Sequence, residues 1–394
     1  MILKSIHSKI IKDSRGVDTI AISVNNCAWA SSPNGKSVGD FETASYYKSL
    51  RFCVNFLNKF SEKIKVSNFS DLAHVERAIC KKLKLKNARM FGANALYAFE
   101  SAILKALAHE KGKELFEIVN SKSKKLKMPL PVGNVIGGGV HSSSVKKHPD
   151  FQEFLVIPRS KKFSDNLKAM NYMHNYLMEK FGVSKVNDEG GLLATVDDSI
   201  VFDVLNKCRI DSGKKFKFSI GIGIDAASSS FFKRGLYNYS SEKINSLSQL
   251  SLIKDIIINN SISYMEDPFH QRDFDGFAKL LKKVGKKCLI VGDDLTATEY
   301  DRVVSAIKNK SINALIIKPN QNGSLLELKK IFGLCKKKRI KTVLSHRSGE
   351  TMDDALADYA VGFGADYIKC GVVTKWREVK LNRLAEIERL LWNI

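Results

Sequence analysis

Residues 343–371 read VLSHRSGETMDDALADYAVGFGADYIKCG. The run Lys341–Ser345 opens on a lysine and then has the uncharged, β-branched composition of a strand buried on both faces. His346, Arg347 and Ser348 follow it directly. A helical pattern then covers 350–362, with Asp353 and Asp354 where acids favour a helix start. A second short strand, 366–369, ends on Lys369. Both buried strands therefore finish on polar or cationic groups.

The same rhythm extends upstream. Strands are predicted at 217–225, 261–266, 288–293, 313–318, 341–345 and 366–369. Amphipathic helices are predicted at 246–259, 273–284, 298–309, 324–337, 350–362 and 376–392. Strand–helix alternation of this length predicts a parallel sheet, and its count favours a closed, eight-stranded α/β barrel over an open doubly wound sheet. A smaller α+β unit precedes it. Residues 5–14 and 18–26 alternate like hairpin strands around the turn 14–17, and helical spacing follows at 41–60, 71–84 and 93–113. The basic segment 121–128 and the pair Pro129 and Pro131 break the pattern, so the expected domains are 1–125 and 126–394.

The chain has 394 residues, 44% of them hydrophobic, enough for a small domain and a barrel. No apolar run is long enough to span a bilayer or to serve as a signal peptide. Seven scattered cysteines, never at CxxC spacing, suit reduced thiols in a cytoplasm better than disulfides or a zinc site. The net charge of +23 leaves nucleic acid, an anionic membrane surface or a phosphorylated small molecule open as partners. The lysines are nevertheless spread along the whole chain. The runs at 81–86 and 122–127 lack the interleaved aromatics of a single-strand binder, so no motif points to nucleic acid or membrane.

Chemistry is expected at the strand ends. Asp225, Glu266, Asp293, Lys318, His346 and Lys369 each close a predicted strand, and in such barrels the C-terminal ends form one cup. Carboxylates from three successive strands, Asp225, Glu266 and Asp293, would repel without a cation, and hard oxygen ligands of this kind suit Mg²⁺. Lys318, held near a second cation in a partly desolvated site, is expected to have a lowered pKa and to act as a general base.

Several stretches taken together resemble the enolases. They are DSRG (13–16), PNGKSVG (33–39), FGANA (91–95), GGGVH to FQEF (137–154), NDEGG (187–191), MEDPF (265–269), GDDLTAT (292–297), IIKPNQNGSL (316–325), SHRSGE (345–350) and YIKCG (367–371). They occur in order over essentially the whole chain. The resemblance implies a Mg²⁺-dependent lyase of glycolysis, phosphopyruvate hydratase, which interconverts 2-phosphoglycerate and phosphoenolpyruvate. It implies Asp225, Glu266 and Asp293 as ligands of the first Mg²⁺, and Ser37 in the mobile loop 33–39 as the group that closes over a second, bound with substrate. It further implies Lys318 as base and Glu189 as acid, with His141, Gln152 and Glu153 around the leaving hydroxyl. His346, Arg347, Ser348 and Lys369 would bind phosphate and carboxylate, in a cytoplasmic homodimer. Arg347 offers the planar, bidentate fork that phosphate recognition wants.

The sequence also departs from the family pattern. DSRGNPT reads DSRGVDT, the mobile loop carries Lys36, NGG is GGG at 137–139, and Ser230 stands where an acid is common. Segment 40–90 is compressed, Ala21 replaces an acid often used in dimer pairing, and the chain ends LLWNI without a terminal lysine. Two rival readings follow. A superfamily relative acting on another carboxylate would want a Lys-x-Lys base motif on an early strand, and Lys215 and Lys217 lie too early for it. A non-catalytic nucleic-acid-binding or surface-binding homologue would show a lost Lys318, Glu189 or metal ligand, and none is lost.

Overall fold

The computed structural model describes residues 1–36, 39–121 and 126–392. Strands β1 (Ile6–Lys12) and β2 (Asp18–Val24) pair antiparallel in the hairpin that the alternation predicts. Asp13 builds the turn, its Oδ1 accepting from the N–H groups of Arg15 (2.8 Å) and Val17 (3.0 Å). Gly16 completes it at φ +77°, a conformation that disfavours a side chain. Strand β3 (Ala30–Ser31) adds to β2. Helices α1 (Leu50–Asn58), α2 (Leu72–Leu83), α3 (Ala93–Glu110) and α4 (Leu115–Val119) follow.

Helix α1 is shorter than the pattern at 41–60 predicts. The backbone before it is bonded elsewhere: Thr43 N–H donates to Gln321 (3.0 Å), and Ala44 accepts from Ala93 N–H (2.8 Å). Ser49 then caps α1 by accepting from Phe52 N–H. Helix α3 is buried along most of its length, against β2, β3 and the barrel's short helical turn Pro319–Asn322. Its small alanines allow that close approach from several sides.

The barrel opens with β4 (Leu130–Gly137), β5 (Glu153–Pro158), α5 (Phe163–Phe181), α6 (Asp198–Phe216) and β6 (Ile220–Asp225). A small sheet of β7 (Phe232–Lys233), β8 (Leu236–Asn238) and β9 (Lys243–Ile244) interrupts it. It continues as α7 (Ser246–Asn259), β10 (Ile262–Glu266), α8 (Phe274–Val284), β11 (Leu289–Gly292) and α9 (Tyr300–Lys308). Next come β12 (Ala314–Ile317), α10 (Pro319–Asn322), α11 (Leu325–Lys338), β13 (Lys341–Ser345), α12 (Ala355–Phe363), β14 (Tyr367–Lys369) and α13 (Lys375–Trp392). Strands β4, β5, β6 and β10 to β14 close into one eight-membered barrel.

The sheet is not wholly parallel, which corrects the sequence expectation. Strand β5 runs antiparallel to both β4 and β6. The connection from β4 to β5 contains one 3₁₀ turn and no α-helix, so it cannot make the crossover that a parallel pair requires. Two helices, α5 and α6, then separate β5 from β6.

Inside the barrel, Val132, Leu155, Ile157, Tyr264, Val291, Ala314, Ile316 and Val343 form a buried apolar plug. Side chains alternate faces along a strand, so residues two further toward the open end also point inward. That parity selects Asn134, Glu153, Glu266, Asp293, Lys318 and Ser345 directly above the plug. The pairing of β6 and β14 with their neighbours brings Asp225 and Lys369 to the same level. The expected domain junction at 125/126 lies at residues 122–125, outside the described residues. All seven cysteines are unpaired, and no helix among the described residues is long and apolar enough to cross a membrane.

Candidate active site

The rim residues surround a cavity of about 460 Å³. Its centre is Lys369, whose ammonium lies 2.6 Å from Glu153 Oε2, 2.9 Å from Glu266 Oε1 and 3.0 Å from Asp225 Oδ2. All four side chains are buried. Burial opposes the Lys369 charge, but the Asp225, Glu153 and Glu266 carboxylates outweigh it and raise the pKa well above the ordinary lysine value. Glu266 lies under the cavity with no exposure, its Oε2 accepting from Tyr264 Oη at 2.8 Å. Burial, then Asp225, pushes the Glu266 carboxyl well up.

Lys318 donates to Asp293 Oδ2. The sequence expectation of a lowered pKa is reversed in this arrangement. Burial, Arg347 and Lys369 favour the neutral amine, yet the adjacent Asp293 carboxylate raises the Lys318 pKa above its ordinary value. Asp267, which the sequence reading passed over, holds the β11 turn. Its two oxygens accept the N–H groups of Asp293 (3.0 Å) and Asp294 (2.7 Å).

On the other side, Glu189 sits in the loop Asn187–Gly191. Asn187 Oδ1 accepts from Glu189 N–H and Gly191 N–H, each at 3.0 Å, and so fixes the carboxylate's direction. Glu189 Oε1 is 4.0 Å from His141 Nδ1, and Oε2 is 3.5 Å from His346 Nε2. Glu153 and Glu189 titrate together. Burial raises Glu153 to about 7, whereas for Glu189 the burial effect is overcome by His141 and Glu153, leaving it at about 2. The shared proton therefore rests on Glu153. His346 is buried with neither ring nitrogen hydrogen-bonded, and burial followed by Arg377 keeps it neutral.

Arg347 is bracketed by the N-terminal segment. Its two terminal nitrogens bond Glu42 at 2.9 and 3.0 Å, and both side chains are nearly buried. A Cβ at Gly35 would fall 1.8 Å from the guanidinium, so a side chain there would push Arg347 off its present position against Glu42. Lys36 reaches Asp188 at 3.6 Å, linking the same segment to the Glu189 loop at the exposed mouth. Gln152, Ser230 and Ser348 also line the cavity. Ser37, the remaining expected ligand, lies outside the described residues.

The donor set suits a hard divalent cation. Asp225 and Glu266 already converge on a single ammonium, and Asp293 meets a second. Oxygens of Asp267, Asp293 and Asp294 lie within 4.8 Å of one another, as do ligand atoms of His141, Glu153 and Glu189. Asp267 is committed to the backbone, so Asp293 is the better-placed ligand of its group. The expected residues other than Ser37 thus meet at one place, and Glu42, Asp267 and Asp294 join them without having been foreseen. Glu42 carried no strand-end signal, and its partner Arg347 is 305 positions away.

Fold and site together define an α/β barrel with its polar chemistry at the face where barrel enzymes keep their active sites. A family model described as the enolase C-terminal TIM barrel domain matches residues 125–393. The enolase of Archaeoglobus fulgidus is 33% identical over 99% of this chain and 98% of its own. Those of Picrophilus torridus and Ehrlichia ruminantium are each 32% identical over 99% of this chain, and over 99% and 96% of their own. The chain belongs to the enolase family.

Proposed function

We propose that the protein is a Mg²⁺-dependent hydro-lyase that converts 2-phosphoglycerate to phosphoenolpyruvate and back, as a cytoplasmic homodimer serving glycolysis. In this reading residues 1–125 form the domain that carries loop 33–39 over the mouth of a catalytic domain, 126–394. The observation that carries it is the arrangement of Lys318 and Glu189 in one cup, separated by Lys369 and its three carboxylates, with Arg347 at the mouth.

Asp225, Glu266 and Asp293 would hold Mg²⁺, with Ser37 closing over a second ion. Bound there, the ions supply the positive charge that offsets negative charge building on the substrate carboxylate, an arrangement general to enolase-type sites rather than derived from this chain. Lys318 takes the C2 proton as the neutral amine, a state that requires Asp293 to be drawn off its ammonium by the cation Asp293 would hold. Lys369 adds a fixed cation beside the carboxylate. Glu189 relays a proton from Glu153 to the departing C3 hydroxyl, which leaves as water, while His141 and Gln152 orient that hydroxyl. Arg347, with Ser348 and His346, receives the phosphate.

The rival Lys-x-Lys reading loses support from geometry, because Lys215 and Lys217 are exposed at the opposite end of the barrel. The test is to supply the purified protein with Mg²⁺ and 2-phosphoglycerate and follow ultraviolet absorbance of the enol phosphate. Turnover is expected, and Lys318→Ala is expected to abolish it with an unchanged circular dichroism spectrum. An inert wild type overturns the assignment; a fully active variant removes Lys318 as the base.

A further inference from the structure

The charge of +23 is dispersed in the sequence, yet the fold gathers much of it at one end of the barrel. Helices α6, α8, α9 and α11 all return to the end where the parallel strands begin, opposite the cup. The connection into β6 carries Lys217, that into β11 carries Lys286 and Lys287, and that into β12 carries Lys310. Lys338 and Arg339 precede β13. All six are exposed, and none forms an ion pair with another of the described residues. Among the connections at this end the one carboxylate is Asp366, which Lys127 (3.3 Å) and Lys341 (2.9 Å) already share.

Cations at a helix C-terminus offset the helix dipole, but that effect fades within the last turn. Lys286, Lys287 and Lys310 lie beyond it. Like charges assembled without counter-charge repel one another and favour an anionic partner. The same face also holds a groove of about 910 Å³ lined by Lys336, Arg339 and Lys341. Phe332 and Phe363 close its floor, stacked on each other with centroids 5.0 Å apart, and Phe363 also stacks on Tyr359, so the groove offers a cationic track rather than free ring faces. A cationic rim along a groove matches what a phosphodiester strand demands of its binder, a positively charged track for the backbone, with no ring faces free to select bases. A lipid surface would meet the rim but is too flat to enter the groove.

We infer that the barrel face opposite the cup binds single-stranded nucleic acid through its phosphate backbone, without sequence preference. Fluorescence anisotropy with a labelled mixed-sequence single-stranded RNA of about 30 nucleotides tests this. Six phosphate contacts give a slope of log affinity against log salt of about −4, so affinity falls roughly 300-fold between about 50 and 200 mM salt. The combined variant Lys286→Gln, Lys287→Gln, Lys338→Gln, Arg339→Gln should reduce the slope to about −1, leaving a fall of less than about tenfold. Circular dichroism and thermal unfolding should match wild type. The inference is overturned if wild type fails to bind at the lower salt, if the variant keeps the wild-type slope, or if phosphatidylserine vesicles outcompete the RNA.

Discussion

Replacing Lys369 by Met preserves side-chain length while removing the charge that three buried carboxylates share. In the native protein the ammonium contacts Glu153, Asp225 and Glu266 at 2.6–3.0 Å. Removing one partner from a buried charge network leaves the rest uncompensated, at a typical cost of about 3–5 kcal/mol. Glu153 and Glu266 are already pushed toward the protonated form by burial, so they shed charge readily and the loss should fall near about 3 kcal/mol. Unfolding entropy for a chain of this length is roughly 0.8 kcal/mol/K, so Tm should drop by about 4 °C. If Asp225, Glu266 and Asp293 are metal ligands, Mg²⁺ should restore stability more strongly in the variant, where no ammonium competes. At a hundredfold excess over Kd the gain is about 2.7 kcal/mol, or about 3 °C. Thermal unfolding across a Mg²⁺ titration, with Lys369→Met/Glu266→Gln as control, reads both effects. A variant as stable as wild type, or one indifferent to Mg²⁺, refutes the reasoning.

Arg347→Lys keeps the charge but loses the bidentate fork that Glu42 engages, so KM for the phosphorylated substrate should rise about 10- to 100-fold in steady-state kinetics, with kcat less affected. Asp198 is pushed up to about 7 by burial and then by Asp150, so it holds its proton in the folded state long after the unfolded chain has released it. Native stability is therefore lost as pH rises from about 4 to 7. Asp198→Asn should be neutral near pH 4 and stabilising by about 2 kcal/mol above pH 7, allowing for partial solvent screening, as read by Tm against pH. Gly323, at φ +93°, would place a Cβ 2.7 Å from Ala93 Cα, so Gly323→Ala should cost about 1–3 kcal/mol in denaturant unfolding. Gly333→Ala in α11, with open space around it, should instead stabilise by about 0.5–1 kcal/mol.

The six later strands and their helices were legible because parallel strands buried on both faces leave continuous apolar runs, each followed by an amphipathic helix. The start of the barrel was not. Strands β4 and β5 have no helix between them, and α5 and α6 follow as a pair, so the alternation that identifies a barrel is missing where the barrel begins. The direction of the Lys318 shift was misjudged for a related reason. A strand-end position places Lys318 among other cations, whereas its contact with Asp293, which decides the sign, exists only in the folded chain. The distribution of lysines is hidden similarly, since residues 217, 287, 310 and 339 come to one end of the barrel only when successive helices return there.

A residue enters this cup by meeting two conditions, inward parity along its strand and a place at the open end. For Asp225, Glu266, Asp293, Lys318 and Lys369 both are visible in sequence, because a parallel strand reaches the open end at its last residues. Glu153 meets the same conditions at the first residue of β5, where it stands level with Asp225. A rule that looks for chemistry at strand C-termini must miss it, and only its neighbourhood in the FQEF motif marked it. His346, Arg347 and Ser348 lie past β13, where parity no longer governs direction; Ser345 is that strand's inward residue. Their aim is set instead by Arg377, which donates to the carbonyls of Arg347 (3.1 Å) and Ser348 (3.0 Å), and by Glu350, which accepts from Arg347 N–H at 3.0 Å. Arg377 belongs to α13, is fully buried and does not line the cavity. Positioning the loop that carries Arg347 therefore falls to a residue that neither the strand rhythm nor the motif around Arg347 identifies.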